Sequence, residues 1–240
     1  MNQITEARRL RLRAVPAALY TVYCLVLFVA LALTVLAINC FLREPRARRR
    51  VAGAFSRALL RGAGVPFQVE NLQRLPSVPC VVVANHASYI DGIVAQAALP
   101  PEFAFVIKKE MVRVPLGGLL LRRLGSEFVE RFDRHQGAID ARRVLKRAAG
   151  GQSLVFFPEG TFTELRQIGK FLGGAFATAA RAEMPVVAMA IHGTRDVLPS
   201  GSWLVRRLPI RVEILETMRA QEARHRSREL IGRAVGEPLA

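Results

Sequence analysis

The chain has 240 residues and carries 35 lysines and arginines against 19 acidic residues, which gives a net charge of +16. Such a basic protein suits an anionic membrane surface or a nucleic acid. Aromatic residues make up only 7% and no nucleic-acid-binding motif is present, so no nucleic-acid partner is expected. Three cysteines cannot all pair and the four histidines are scattered, which argues against a disulfide scaffold and a metal site.

Residues 1–45 are expected to anchor the chain to a membrane. No charged residue occurs among the 29 residues from Ala14 to Leu42, and arginines flank this stretch on both sides. A helix of that length would measure about 43 Å, against a hydrocarbon core of about 30 Å. A single tilted span and a shallow hairpin both fit, and a buried core helix is the alternative that needs no membrane. The basic flanks favour slightly an arrangement with both ends in the cytosol.

Residues 46–240 are expected to form one α/β domain. Apolar, β-branched runs predict strands at 65–70, 80–83, 103–107, 127–130, 153–157, 186–191 and 210–215. Apolar residues at helical spacing predict helices at 46–63, 93–99, 111–124, 134–149, 171–182 and 221–235. This alternation predicts a largely parallel central sheet flanked by helices. The basic face of the first of these helices would lie either in solvent or on lipid headgroups.

Polar and charged residues follow several of the predicted strands. They are Asn85-His86, Lys108-Lys109, Glu130-Arg131 and Pro158-Glu159. Ligands of open α/β sheets bind at the carboxyl ends of the strands. The sequence therefore predicts that the functional site lies at this edge of the sheet.

His86 and Asp91 follow the most apolar of these strands. On a regular helix their side chains would point about 140° apart, so they can meet only if the chain between them turns. If they meet, the carboxylate fixes the tautomer of the imidazole, and the other ring nitrogen can take a proton. The alternative is a histidine at a strand end beside an unrelated acidic helix cap.

Four blocks in a fixed order indicate a family. They are Asn85-His86 with Asp91, Phe128-Val129-Glu130-Arg131, Phe157-Pro158-Glu159-Gly160-Thr161, and the Pro185-Val186-Val187 strand. Together they closely resemble the blocks of the glycerolipid acyltransferases over roughly residues 65 to 215. The first and third blocks together are a specific signal.

The resemblance implies that a fatty acyl group passes from a thioester to the free hydroxyl of a lysolipid. Coenzyme A or acyl carrier protein would bring the acyl group as co-substrate, and no other cofactor is expected. The acceptor that the resemblance implies first is lysophosphatidic acid. The catalytic domain would lie on the cytoplasmic face of the membrane. His86 would be the general base and Asp91 would orient it. The substrate-binding residues would be Asn85, Lys108, Arg131, Glu159, Gly160 and Thr161, with Arg131 on the acceptor's phosphate.

The chain departs from the family pattern after the third block. The family often has Arg-Ser there, and this chain has Phe162-Thr163. Arg166, Lys170, Lys108 or Lys109 could supply the missing cation. A lysolipid with another head group, such as an amino-acid lipid, is therefore an alternative acceptor.

Three further alternatives remain open. Ser88 could form an acyl-enzyme with His86, although two residues apart in a tight loop is an awkward geometry. Water could replace the acceptor, which would make the protein a thioesterase or lipid hydrolase, although no Gly-x-Ser-x-Gly motif is present. A membrane-associated protein without catalysis is the third alternative.

Overall fold

The chain folds into a seven-stranded sheet with helices on both faces. The computed structural model describes residues 2–130, 133–162 and 164–240, with the backbone alone for residues 2–15 and 134. The helices are α1 Asn2–Phe41, α2 Pro45–Gly62, α3 Asp91–Ala98, α4 Gly117–Arg123, α5 Arg134–Ala149, α6 Gly174–Arg181, α7 Thr194–Val197 and α8 Ala223–Val235. The strands are β1 Phe67–Glu70, β2 Val81–Ala84, β3 Phe103–Lys108, β4 Glu127–Val129, β5 Ser153–Phe156, β6 Val186–His192 and β7 Ile210–Met218.

The strand order is β1-β7-β6-β2-β5-β3-β4. Every neighbouring pair is parallel except β6 and β7, which are antiparallel. The predicted fold class, a largely parallel sheet flanked by helices, is therefore confirmed. β2 lies at the centre, and all four of its residues are buried because helices cover both faces.

Several predicted bounds differ from those observed. The segment predicted as one helix over 111–124 is a 3-10 turn at Lys109–Arg113 followed by α4, because Pro115 interrupts the helical pattern. The helix predicted to begin at 171 begins at Gly174. The strand predicted to end at 215 continues to Met218.

The two faces of the sheet have separate cores. Val82 and Ala84 point to the side where α3 and the end of α2 pack. Val81 and Val83 point to the other side, where α5, α6 and α8 pack. Alternate residues of a strand point to opposite faces, so one short run of valines contributes to both cores.

Helix α1 packs along α2 rather than standing apart from the domain. Tyr20 donates a hydrogen bond to the carbonyl of Ala63 at 2.7 Å, and Tyr23 donates to that of Gly62 at 2.8 Å. Further along α1, Val35 is 3% exposed and packs against Ala52 of α2. The outward face of α1 stays exposed and apolar. It carries Leu19, Val22, Leu25, Val26, Phe28, Val29, Leu33, Ile38 and Phe41.

One arginine of α2 joins that helix to the amino ends of three strands. Arg49 is 1% exposed. Its guanidinium donates to the carbonyls of Pro101 and Leu124, at 2.6 and 3.1 Å, and to Oε1 of Gln152 at 3.3 Å. Pro101, Leu124 and Gln152 lie one to three residues before β3, β4 and β5, respectively. Burial, together with nearby arginines, lowers the pKa of Arg49 to about 10.

Candidate active site

The candidate base stands in the loop that leaves β2 at the carboxyl edge of the sheet. Asn85 fixes the start of this loop, because its amide donates to the carbonyl of Ile191 at 2.9 Å and accepts from that residue's N–H at 2.8 Å. This pair of bonds joins the end of β2 to β6. Asn85 is 3% exposed, so its side chain serves to hold the loop in place.

His86 and Asp91 meet, which excludes the alternative of a strand-end histidine beside an unrelated acidic helix cap. The chain turns over residues 86–90, and α3 then begins at Asp91. Oδ2 of Asp91 lies 2.8 Å from Nδ1 of His86. The same oxygen accepts from the N–H groups of Ala87 and Ser88 at 2.6 and 2.8 Å. The buried carboxylate thus holds the loop and the imidazole together, and it places the ring proton on Nδ1.

Aromatic rings surround the imidazole. Phe157 stacks on His86 with centroids 4.6 Å apart, and Phe162 meets the same ring edge-on at 4.7 Å. Tyr89, which is 70% exposed, packs edge-on against Phe162. The side chain of His86 itself keeps 21% of its surface exposed. The imidazole is therefore fixed in orientation and still reachable from outside.

Glu159 supports the same loop from β5, the neighbouring strand. Its Oε1 accepts from the N–H of His86 at 2.7 Å, and its Oε2 accepts from that of Gly169 at 2.7 Å. Burial raises the pKa of Glu159, while these two bonds act in the opposite direction. The carboxylate thus connects the loop after β2 to the loop after β5.

Gly160 and Thr161 complete the turn after β5. The N–H of Gly160 donates to the carbonyl of Phe157 at 3.0 Å, and Gly160 has a φ of +80°. Glycine reaches this left-handed conformation without the strain that a side chain would bring. Thr161 follows it and is exposed.

The remaining predicted site residues lie further along the same edge. Lys108 ends β3 and is exposed. Since β5 lies between β2 and β3, two strand spacings of about 4.8 Å place Lys108 about 10 Å from the end of β2. Lys109 pairs with Glu130 at 3.9 Å. Arg131 lies outside the described residues.

Two other polar groups of this region already have partners. The hydroxyl of Ser88 donates to the carbonyl of Leu198 at 2.7 Å, and Ser88 is fully buried. Arg166, one candidate for the missing cation, pairs with Asp196. No group of three or more metal-ligating side chains occurs within the described part of the chain.

Sequence reasoning did not find the contacts that hold the base in place. Nothing in the sequence indicated that Phe157 and Phe162 would enclose the imidazole, or that Asn85 would bind Ile191. These contacts join segments more than 70 residues apart. The one sequence signal for these contacts was that the motifs follow the ends of neighbouring strands, which lie together at one edge of the sheet.

The fold and the site define an α/β protein with a carboxylate-held histidine at the carboxyl edge of its sheet. The chain belongs to the Acyltransferase family, whose model matches residues 66–192, slightly more than half of the chain. That match includes His86, Asp91 and Glu159. The resemblance seen in the sequence motifs is thereby confirmed.

Curated relatives share part of this chain. The chloroplast 1-acyl-sn-glycerol-3-phosphate acyltransferase of Brassica napus is 33% identical over 136 residues, which are 56% of this chain and 39% of that protein. The enzyme of that name from Pseudomonas aeruginosa is 29% identical over 163 residues, 66% of this chain and 62% of its own. The lyso-ornithine lipid O-acyltransferase of the same organism is 36% identical over 141 residues, which are 57% of this chain and 52% of that protein. The chain thus spans about two fifths to three fifths of these relatives.

A solved structure has the same fold. The 1-acyl-sn-glycerophosphate acyltransferase of Thermotoga maritima superposes with a TM-score of 0.80 at 21% sequence identity. The superposition covers 93% of this chain and 96% of that one. The likeness therefore includes most of the N-terminal helices as well as the sheet.

Proposed function

We propose that this chain is a membrane-bound O-acyltransferase that moves a fatty acyl group from an acyl thioester to the free hydroxyl of a lysophospholipid. The observation that carries the proposal is the 2.8 Å contact between Nδ1 of His86 and Oδ2 of Asp91, in a loop that is fixed but open to the outside. The acceptor is lysophosphatidic acid and the product phosphatidic acid. The donor is acyl-coenzyme A or acyl carrier protein.

The reaction needs one base and no covalent enzyme intermediate. The unprotonated Nε2 of His86 takes the proton of the acceptor hydroxyl while its oxygen attacks the thioester carbonyl. Asp91 stabilises the imidazolium that forms. The carbon–sulfur bond then breaks, and the departing thiolate takes the proton from Nε2. Ser88 is unsuited to act as a nucleophile, since it is buried and its hydroxyl donates to Leu198.

The head group of the acceptor would lie along the carboxyl edge, from His86 towards β3 and β4. Lys108, about 10 Å away, and Arg131 are the cations that the sequence places at the ends of those strands. An arginine can bind a phosphate through two parallel hydrogen bonds, whereas lysine offers a single charged nitrogen. We therefore predict that Arg131→Lys raises the KM for the acceptor at saturating donor. An unchanged acceptor response with an altered donor response would assign Arg131 to the donor.

A lyso amino-acid lipid is the second candidate acceptor. The lyso-ornithine lipid O-acyltransferase of P. aeruginosa shares 36% identity over the aligned region. In addition, the aromatic ring of Phe162 packs against His86 at the position where the family often has an arginine. Without that cation, the site has one group fewer that favours a phosphate. Purified protein incubated with acyl-coenzyme A and a panel of lysolipids, with products identified by mass, separates the two acceptors. Release of free fatty acid alone would instead indicate a hydrolase.

Helix α1 is proposed as the membrane anchor. Residues Pro16–Phe41 are the one stretch of the described chain long and apolar enough to cross a membrane, and only 17% of its apolar 18-residue core segment is buried. Yet α2, which packs along α1, carries six arginines and cannot enter hydrocarbon with it. The hairpin that the sequence allowed is wrong, because α1 is one continuous helix from Asn2 to Phe41. The packing of α1 along α2 also argues against a full span, so we propose that α1 lies shallowly, with its outward face in a single leaflet.

The thioester donors are soluble and cytosolic, so the catalytic edge would face the cytoplasm. In a bacterium this is the inner membrane. The apolar area of α1 should hold the protein on membranes through a wash with high salt or alkaline carbonate. Release of the full-length protein by either wash would show that α1 is not inserted.

A further inference from the structure

A second segment of the chain carries exposed apolar side chains beside α1. This is the loop of residues 198–209 between α7 and β7, hereafter the 198–209 loop. Trp203, the single tryptophan of the chain, is 65% exposed in it, and Leu208 is 38% exposed. A tryptophan so exposed on a globular domain is uncommon, because it leaves a large apolar surface in water.

The 198–209 loop is attached to α1. The N–H of Val205 donates to the hydroxyl of Thr21 at 3.0 Å, and both residues lie outside the Arg-rich helix α2. Two residues of extended chain measure about 7 Å, so Trp203 lies within that distance of Val205. Leu25 and Phe28 lie four and seven residues after Thr21, and so on the same side of α1; they are 59% and 41% exposed. The apolar surface of α1 therefore continues onto the loop.

The same loop is attached to the catalytic turn. Ser88, which lies between His86 and Asp91, donates its hydroxyl to the carbonyl of Leu198 at 2.7 Å. Tyr89, the next residue, is 70% exposed. The 198–209 loop thus connects α1 to the turn of His86. An exposed aromatic ring lies near each end of this connection: Trp203 near α1 and Tyr89 beside His86.

The charge of the loop fits an anionic surface. The 198–209 loop includes Arg206 and Arg207 and no acidic residue. The indole of tryptophan favours the boundary between headgroups and acyl chains, because its ring is apolar and its N–H is polar. Arginines near such a boundary are attracted to anionic headgroups.

From these contacts we propose that the 198–209 loop is a second membrane-binding element, with Trp203 seated at the headgroup level of an anionic phospholipid bilayer. Its role is to hold the turn of His86 against the surface from which the lipid acceptor comes. This inference rests on the proposed function for the identity of that acceptor and for α1 as the membrane anchor. The contact between Trp203 and lipid can be measured without any catalysis.

Trp203 is its own reporter, since the chain has no other tryptophan. The full-length protein is placed in vesicles of phosphatidylglycerol and phosphatidylethanolamine, and its fluorescence is measured with two kinds of quencher. Lipids brominated near the headgroup should quench Trp203 strongly, and iodide in the water should quench it weakly. The matched control is Val78→Trp in a Trp203→Phe background. Val78 is 55% exposed, but it precedes β2 at the opposite edge of the sheet. Its tryptophan should show the reverse pattern.

Two results would overturn the proposal. Quenching of Trp203 by iodide as strong as that of the tryptophan at position 78 would place the loop in water. Shielding from both quenchers would place it against protein, either a second copy of the chain or another subunit.

A second measurement connects the loop to turnover. Trp203→Glu should lower the rate on an acceptor embedded in vesicles several-fold more than the rate on a short-chain acceptor in solution. Val78→Glu, a matched change at the far edge, should leave the ratio of the two rates unchanged. An unchanged ratio in Trp203→Glu would contradict the role of the loop. Absence of transfer by the wild-type protein on every acceptor would instead refute the proposed function, while the quenching would still decide the lipid contact.

Discussion

The sharpest test of the mechanism is the substitution Asp91→Asn. The side chain of Asp91 is fully buried, and its Oδ2 accepts from Nδ1 of His86 and from two backbone N–H groups. An asparagine can keep these three bonds by placing its carbonyl oxygen in the same position. The substitution then removes the negative charge beside the imidazole while the turn keeps its shape.

The expected magnitude follows from the separation of the two charges. An imidazolium and a carboxylate about 4 Å apart attract each other by ~4 kcal/mol at an effective dielectric constant of ~20. Since 21% of the His86 side chain is exposed, water screens part of this attraction, and about 2–4 kcal/mol remains. The value corresponds to a loss of about 30- to 10³-fold in kcat. The amide NH₂ would take the place of Oδ1, which has no hydrogen-bond partner among the described residues, so a loss of about 1–3 kcal/mol in stability is also expected.

The assay is kcat at saturating donor and acceptor, with thermal unfolding measured on the same samples to confirm that the variant is folded. His86→Ala should lose ~10²–10⁴-fold. The double variant should be no slower than His86→Ala alone, because Asp91 then has no imidazolium to stabilise. A folded Asp91→Asn variant with near-wild-type kcat would refute this account. So would a double variant in which the two losses multiply.

Three further predictions concern neighbouring side chains. Ser88→Ala should retain kcat within a few-fold and lose about 0.5–1.5 kcal/mol of stability with its bond to Leu198; an acyl group found on Ser88 by mass spectrometry would contradict direct attack. Glu159→Gln should lower the unfolding temperature, because its amide can accept from only one of the two N–H groups that the carboxylate now binds, a cost of about 1–3 kcal/mol; equal unfolding temperatures would exclude this supporting role. Burial and nearby Arg211 lower the pKa of His192 below its ordinary 6.5. The unfolded chain therefore takes up a proton first as the pH falls, and wild-type stability should drop faster than that of His192→Gln from about pH 7 downwards. Parallel unfolding curves for the two proteins over that range would show that His192 is not the cause.

The sequence was informative where one local feature decides the structure. A run of valines that ends in Asn85-His86 is typical of a buried strand opening into a loop, and a turn between His86 and Asp91 was all that their pairing needed. The parallel order of the central strands followed from the helices between them. These features depend on neighbours in the chain, which a sequence shows directly.

The rest depended on contacts between distant segments. The direction of β7 could not be read from its residues, because a strand with alternate buried positions packs equally well parallel or antiparallel to β6. The bond from the N–H of His86 to Glu159 joins residues 73 apart, and the amide of Asn85 reaches Ile191 over a separation of 106. In the sequence Phe162 is only a departure from the family pattern, whereas the structure places its ring against the imidazole of His86.

The buried arginine of α2 has a mechanical consequence. Arg49 fastens the helix that carries α1 to the amino ends of three strands, while the 198–209 loop fastens α1 to the other edge of the sheet. A flexible tether would let a catalytic domain swing above the bilayer and search a volume of water. A domain clamped at both edges keeps one height and one tilt. With α1 in a leaflet as proposed, the lipid acceptor would reach the site by lateral diffusion in the membrane. Only the soluble thioester would have to bind from solution.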